Sequence, residues 1–434
     1  MFWIHGGAFT GGTGADPTFD GGNMASRGDV VMVTINYRLS TLGFLALDDG
    51  KTNGNFGIAD IITALEWVNE HISSFGGDPD RITIFGQSAG AAAVRTLLGS
   101  PKAIGKYAGA IQMSNLAGLG YATTYSLYDT IPQEVATVAE PIMQSVNCTE
   151  GDVLACLKAV DGNTLVNLPT VARFVVVDGT FVTHDELILD GTAPVANVHH
   201  MMGFMRDDGA AFISNPTTSN LMLAVEDAGL PGSIATSPLF PMPNISTNAL
   251  DNVFNVTARG ATDGLFRCLD QATAVSAIQH NLFKSMWFYE FNRSYQTPGF
   301  DPNAPRCDAP VDATHPNGDP DKEYYNGELF YVFGNLPSDL PLRDDKDLPF
   351  MQMQLDTWTS FARTFNPNPE PAFLDVRGYT ASAKQLSAQE EWVAVSKSNI
   401  NTKPLRQLEW PSFMTEFKEQ SQCSFLNFSL NSFG

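Results

Sequence analysis

The 434-residue chain is poor in positive charge, with 25 Lys and Arg against 47 Asp and Glu and a formal net charge of −22. A surface of that sign repels phosphate backbones and anionic headgroups, which excludes nucleic acid and acidic membrane faces as partners. No apolar run approaches the length needed to cross a bilayer, so no transmembrane segment is expected. Internal repeats and low-complexity tracts are missing too, which removes solenoid and linker-like architectures. Cysteine is scarce and odd in number, at positions 148, 156, 268, 307 and 423, and there are only seven histidines.

What is present points outward. Five Asn-X-Ser/Thr sequons, at Asn147, Asn244, Asn255, Asn292 and Asn427, accompany Cys148 and Cys156, which close a short loop. Together they favour a secreted, extracellular glycoprotein with disulfides. No signal peptide precedes the first residues, and Phe2-Trp3-Ile4 reads as the inside of a buried strand, so the chain is expected to begin within the fold.

The organising stretch is Ile82-Thr83-Ile84-Phe85-Gly86-Gln87-Ser88-Ala89-Gly90, an apolar run ending at a serine between two glycines and continuing into helix-forming residues. That is the pattern of a nucleophile elbow, in which a serine stands on a strained strand-to-helix turn. Upstream, Phe2-Trp3-Ile4 runs into His5-Gly6-Gly7-Ala8-Phe9, a loop stripped of side chains that can offer backbone N–H groups to an oxyanion. Val30 to Tyr37 has the β-branched character of a parallel strand covered on both faces. Residues 57–74 carry apolar positions at helical spacing, Arg81 to Phe85 form the strand feeding Ser88, and Ala108 to Met113 the next one. Further strands are expected at Val198 to Phe204 and Met286 to Phe291, and a helix at Leu355 to Phe365. Residues 214–255 read as loops with short helices, and the proline-rich segment 301–321 as an extended connection. The order is that of repeated βα units, hence a parallel sheet with right-handed crossovers. Residues of about 120–195 are less regular and read as a cap inserted into a single domain covering 1–434.

These residues resemble the type-B carboxylesterase and lipase family, α/β-hydrolases that include cholinesterases and secreted fungal lipases. The resemblance is carried by His5-Gly6-Gly7-Ala8-Phe9, by Asn53-Gly54-Asn55-Phe56-Gly57 leading to Asp60, and by Phe75-Gly76-Gly77-Asp78-Pro79 through Ser88-Ala89-Gly90. Later matches are Arg206-Asp207-Asp208-Gly209 and Gly327-Glu328-Leu329-Phe330-Tyr331-Val332-Phe333-Gly334. It implies an α/β-hydrolase fold, a mostly parallel central sheet with helices on both faces and cap insertions, lacking the N-terminal part of the family's fold. It also implies hydrolysis of a small-molecule or lipid ester with no metal or cofactor. Ser88 then takes the role of nucleophile, the N–H groups of Gly7, Ala8 and Ala89 form the oxyanion hole, and Asp208 stands where the family usually has a glutamate, with Asp207 as the alternative. Gln87 replaces the glutamate that cholinesterases have before the nucleophile.

The family's histidine lies three residues before the counterpart of Glu328, and that position is Tyr325. A Cys-His pair found in fungal relatives is absent there, in keeping with the odd cysteine count and an unpaired Cys307. Of the histidines present, His5 is expected beneath the glycine loop, His71 and His280 on helices, His184 in the cap, and one of His199 and His200 in the core. His315 alone lies in the right part of the chain to be a candidate base. Three readings follow: a serine ester hydrolase, a non-catalytic hydrolase-fold binding protein, or an incompletely assembled version of an active esterase. The sequence does not determine the oligomeric state.

Overall fold

A computed structural model describes residues 1–295, 311–318 and 327–433. Its centre is an eight-stranded sheet in the order β10-β9-β8-β7-β4-β3-β1-β2. The strands are β1 (Phe2–Ile4), β2 (Val33–Thr34), β3 (Thr83–Gln87), β4 (Gly109–Met113), β7 (His199–Met205), β8 (Ser285–Phe291), β9 (Leu405–Leu408) and β10 (Phe413–Thr415). β5 (Asp129–Thr130) and β6 (Val176–Val177) form a separate parallel pair. Every pairing in the large sheet is parallel except β9 with β10.

Strand alternation divides the core in two. Phe2, Ile4, Ile84, Ala110, Met202, Phe204 and Phe288 face one side, where helices Phe56–His71, Ala89–Gly99, Ala249–Thr262 and Cys268–Gln279 pack. Trp3, Phe85, Ile111, Met201, Met205, Trp287 and Tyr289 face the other, against Phe333 and the helix Asp347–Thr364 with its Trp358 and Phe361. A side chain of this size contributes about 1.5–3 kcal/mol when fully buried, and both faces of the sheet collect many of them. This two-sided covering is what makes the central strands read as continuous apolar runs.

The run Val30 to Tyr37 departs from that expectation. Only Val33–Thr34 pairs, and it does so at the sheet edge with β1 alone, leaving Val33 half-buried and Thr34 exposed. A β-branched run has the same composition at an edge as in the interior, because composition records neither neighbour. The helix expected from 355 begins earlier and spans Asp347–Thr364, and the helix expected around His280 is Cys268–Gln279, which His280 caps. Ala249–Thr262 runs past the end of the segment expected as loops with short helices, while β9 and β10 carried no expectation. Most of segment 301–321 lies outside the described residues, and 311–318 form a turn. Residues 120–195 hold short helices and β5 and β6, and their buried Tyr125, Leu157, Leu165 and Val175 join the first core.

Two disulfides are formed, Cys148–Cys156 and Cys268–Cys423, while Cys307 lies outside the described residues. The second spans 155 residues and ties the helix Cys268–Gln279 to the helix Gln420–Phe425. Constraint of the unfolded chain grows with the loop that is closed, so this bridge should outweigh the eight-residue one. Cys423→Ser is expected to lower unfolding free energy by roughly 2–5 kcal/mol in denaturant melts, and Cys156→Ser by less.

Candidate active site

β3 is buried along its whole length and hands the chain to the helix Ala89–Gly99 through a single residue, Ser88, with φ 59° and ψ −126°. A non-glycine residue with such angles is strained and persists only when its surroundings over-determine it. Here the Ser88 N–H donates to Met113 O at 3.1 Å, and its carbonyl accepts from the Ala92 N–H at 2.9 Å as the helix begins. The flanking glycines are forced by contact. A Cβ on Gly90 would lie 2.1 Å from the Ile4 carbonyl oxygen, and one on Gly86 would lie 2.5 Å from the Gly90 carbonyl carbon. Ser88 is 7% exposed at the N-terminus of the helix, whose dipole favours negative charge there.

The glycine loop lies against this turn. A Cβ on Gly6 would meet Gln87 O at 2.8 Å and Ser88 Cβ at 3.1 Å. Gly7, Ala8 and Phe9 follow with φ of 110°, 56° and 59°, and the Gly7 carbonyl accepts from the Thr10 and Gly11 N–H groups at 2.9 and 3.0 Å. Among the described residues, the N–H groups of Gly7, Ala8 and Ala89 make no hydrogen bond. His5 supports the loop from below: its Nδ1 contacts the Gly6 carbonyl at 2.8 Å, and its ring stacks on Tyr37 at 4.5 Å. Burial lowers its pKa, which leaves it neutral.

The two adjacent aspartates after β7 are sorted by the turn. Asp207 faces outward and pairs with Arg206 at 2.8 Å, whereas Asp208 is fully buried, its Oδ2 accepting from the Met205 N–H at 2.8 Å. Among the described residues its Oδ1 has no close, well-aligned hydrogen bond, though the Ser114 hydroxyl beside the carboxyl favours its charged form. Burial first, and then the charge of Glu328, pushes the Asp208 carboxyl well above the usual carboxylate range. Glu328 is itself buried with both oxygens unpartnered among the described residues, and desolvation raises its pKa to about 8. A third buried carboxyl, Asp270, accepts from Asn115 Nδ2 at 3.1 Å and is also raised to about 8 by burial.

The turn bearing Asp208 is clamped from the helical side. Thr262 Oγ1 accepts from the Gly209 N–H at 3.0 Å, and Arg267 Nη2 donates to the Arg206 carbonyl at 3.1 Å. Arg267 reaches that carbonyl from a π-helical turn, Asp263–Arg267, between two α-helices, and is flanked by Asp263 and by Glu290 at 3.3 Å. The sequence reading missed Arg267, Thr262, Ser114 and Asp270. Their only signal was polar residues on apolar helix faces and, for Ser114, at the end of an apolar strand, which does not say what they face.

The histidines divide as follows. His199 stacks on Phe365 and contacts Ser285 Oγ at 2.9 Å, while His200 is buried without a partner and held at about 3 by desolvation. His315 Nδ1 lies 3.8 Å from Asp312 Oδ1 and 3.2 Å from Thr314 Oγ1, within its own turn. Among the described residues, no histidine is hydrogen-bonded to Ser88 or Asp208. Tyr325, which occupies the expected histidine position, lies outside them.

The raised Glu328 carboxyl has a consequence for stability. Its folded pKa lies above its unfolded value, so its contribution is fully present below about pH 4.5 and is lost as pH rises through about 8. Glu328→Gln should flatten that decline, making the variant the more stable form at pH 8 and nearly equal to the parent at pH 4, as read by urea melts at both values.

Comparison with known proteins places this geometry. The model of the Carboxylesterase family matches residues 1–425. Mouse (Mus musculus) bile salt-activated lipase is 32% identical over 407 residues, which cover 85% of this chain and 63% of that protein, so the chain spans less than two thirds of this relative. The para-nitrobenzyl esterase of Bacillus subtilis is 29% identical, with 85% of this chain and 71% of that protein covered. Mouse neuroligin-2 is 30% identical, with 85% and 44% covered. A solved structure of PNB esterase superposes with a TM-score of 0.71 at 25% identity, covering 98% of this chain and 79% of that one. The chain belongs to the Carboxylesterase family.

Proposed function

We propose that this protein is a carboxylic-ester hydrolase that works through an acyl-enzyme on Ser88. The observation that carries the reading is the elbow: a strained, nearly buried serine at a helix N-terminus, beside a loop with free N–H groups at Gly7 and Ala8. In this reading a base takes the Oγ proton as Ser88 Oγ bonds to the ester carbonyl carbon. The oxyanion so formed accepts from the Gly7, Ala8 and Ala89 N–H groups. The C–O bond to the alcohol then breaks, the alcohol leaves with the proton, and water repeats the sequence to release the acid. Asp208 orients the base, and its buried Oδ1, which among the described residues makes no well-aligned hydrogen bond, is the acceptor for an N–H. A positive ring arriving there would supply the counter-charge that this carboxyl now lacks. The small-molecule or lipid ester substrate follows from the relatives, whose names include both a lipase and an esterase. The two disulfides and the acidic surface support a secreted protein.

One observation favours a second reading, a binding protein on a hydrolase scaffold: no histidine contacts Ser88 among the described residues. A fluorophosphonate probe separates the two, because it bonds only to an activated serine. The hydrolase reading expects covalent labelling of the folded chain that disappears in Ser88→Ala. Asp208→Asn should lower ester turnover by about 10⁴ while Ser88 remains in place, by analogy with loss of the orienting acid in other serine hydrolases. Absence of labelling on a cooperatively folded sample overturns an activated Ser88 in this chain and favours the binding protein.

A further inference from the structure

The five sequons are equivalent in sequence, but the fold places them in different surroundings. Asn147, Asn244 and Asn427 are exposed, and among the described residues none of their side chains makes a hydrogen bond. Asn147 and Asn427 have φ of 57° and 63° just past the helices Glu140–Ser145 and Gln420–Phe425, a left-handed conformation that asparagine tolerates better than most residues. Their amide groups therefore stand off helix ends into solvent. Asn292 is the opposite case. It follows the end of β8 at 6% exposure, its N–H donates to the Leu408 carbonyl at 2.8 Å, and its Nδ2 contacts Glu409 Oε2 at 3.3 Å. The next residue, Arg293, is buried in ion pairs with Asp344 and Asp347. Asn255, half-buried on the helix Ala249–Thr262, belongs to neither group.

We propose that Asn147, Asn244 and Asn427 are the N-glycosylation sites of the folded chain and that Asn292 is a sequon closed by the fold. In the transfer, the asparagine Nδ2 bonds to C1 of an oligosaccharide as the bond from C1 to a lipid pyrophosphate breaks, and an amide proton leaves. The modified nitrogen keeps one hydrogen and carries a bulky hydrated group. At the three exposed sites that group meets only water. At Asn292 it would have to enter the space filled by Glu409 and the strand end at Leu408, breaking the Nδ2 contact and forcing polar sugar into a buried region. A chain glycosylated there cannot complete the sheet between β8 and β9, so folded material carries this asparagine unmodified. The proposal rests on the secreted reading above, since the sugar donor is met only on the secretory route.

The test is to express the full chain through a eukaryotic secretory pathway, recover the soluble secreted protein and release glycans enzymatically in heavy-oxygen water. Each formerly glycosylated asparagine then becomes a labelled aspartate in peptide mass spectra. Label at positions 147, 244 and 427 with none at 292 is expected, and the Asn147→Gln, Asn244→Gln, Asn427→Gln triple variant should lose the mass contributed by these sites. A labelled Asn292 in protease-resistant, cooperatively melting protein overturns the proposal, and so does an unmodified residue among the three. Asn292→Gln serves as a control that should leave the glycan mass of the secreted protein unchanged. Failure of the secreted reading shows itself separately: protein from the native source then carries no sugar at any position, while the chain forced through the secretory route carries it at the three sites.

Discussion

The close approach of β1 to the turn after β3 is the constraint on which the rest depends. The Ile4 carbonyl oxygen lies where a Gly90 Cβ would be, and Gly6 lies against Gln87 and Ser88 in the same way. Only backbone fits in this space. Because it does, Ser88 can hold positive φ at the end of a fully buried strand, and the loop after β1 is pressed against the serine instead of standing away from it. The sheet order follows the same logic. β1 and β4 flank β3, and Met113 at the end of β4 receives the Ser88 N–H, so the turn is bonded on one side and packed on the other.

The molecule holds three carboxyl groups away from water. Asp208, Glu328 and Asp270 are buried, and among the described residues none of them forms an ion pair. Carboxyls in such surroundings retain protons to higher pH than in water, because desolvation penalises only the charged form. The nearby cations are used for other ends. Arg267 serves the Arg206 carbonyl, Asp263 and Glu290, and Lys418 also reaches Glu290. The turn carrying Asp208 is therefore held by its backbone, which leaves the side-chain oxygen unengaged.

Much of the architecture was legible because it rests on local patterns. The glycines around Ser88, the glycine loop and the apolar strands at 83–87, 109–113, 199–205 and 285–291 each announce themselves within a few residues. The edge strand did not, since Val30 to Tyr37 has an interior composition but a partner on one side only. β9 and β10 were missed because Leu405–Leu408 contains Arg406 and Gln407, polar residues that become strand-compatible once Arg406 donates to the Glu390 carbonyl and Gln407 Oε1 accepts from Lys418. The resemblance favoured Asp208 over Asp207, but which of the two carboxyls is buried depends on the way the turn rotates after β7.

The sequence by itself determined the chain's family, its parallel α/β core, the position of the strained serine and the places where a glycan or a disulfide is chemically possible. These are matters of backbone freedom, periodicity and residue type, and all of them act over short stretches. Only the tertiary structure decided that Cys268 meets Cys423, that Asp208 turns inward while Asp207 pairs with Arg206, that Arg267 holds the turn between them, and that Asn292 is enclosed. Each of those outcomes joins residues far apart in the chain or chooses between neighbours of the same type. Burial and hydrogen-bond satisfaction make that choice, and neither exists until the sheet and its two layers of helices have closed around the residues.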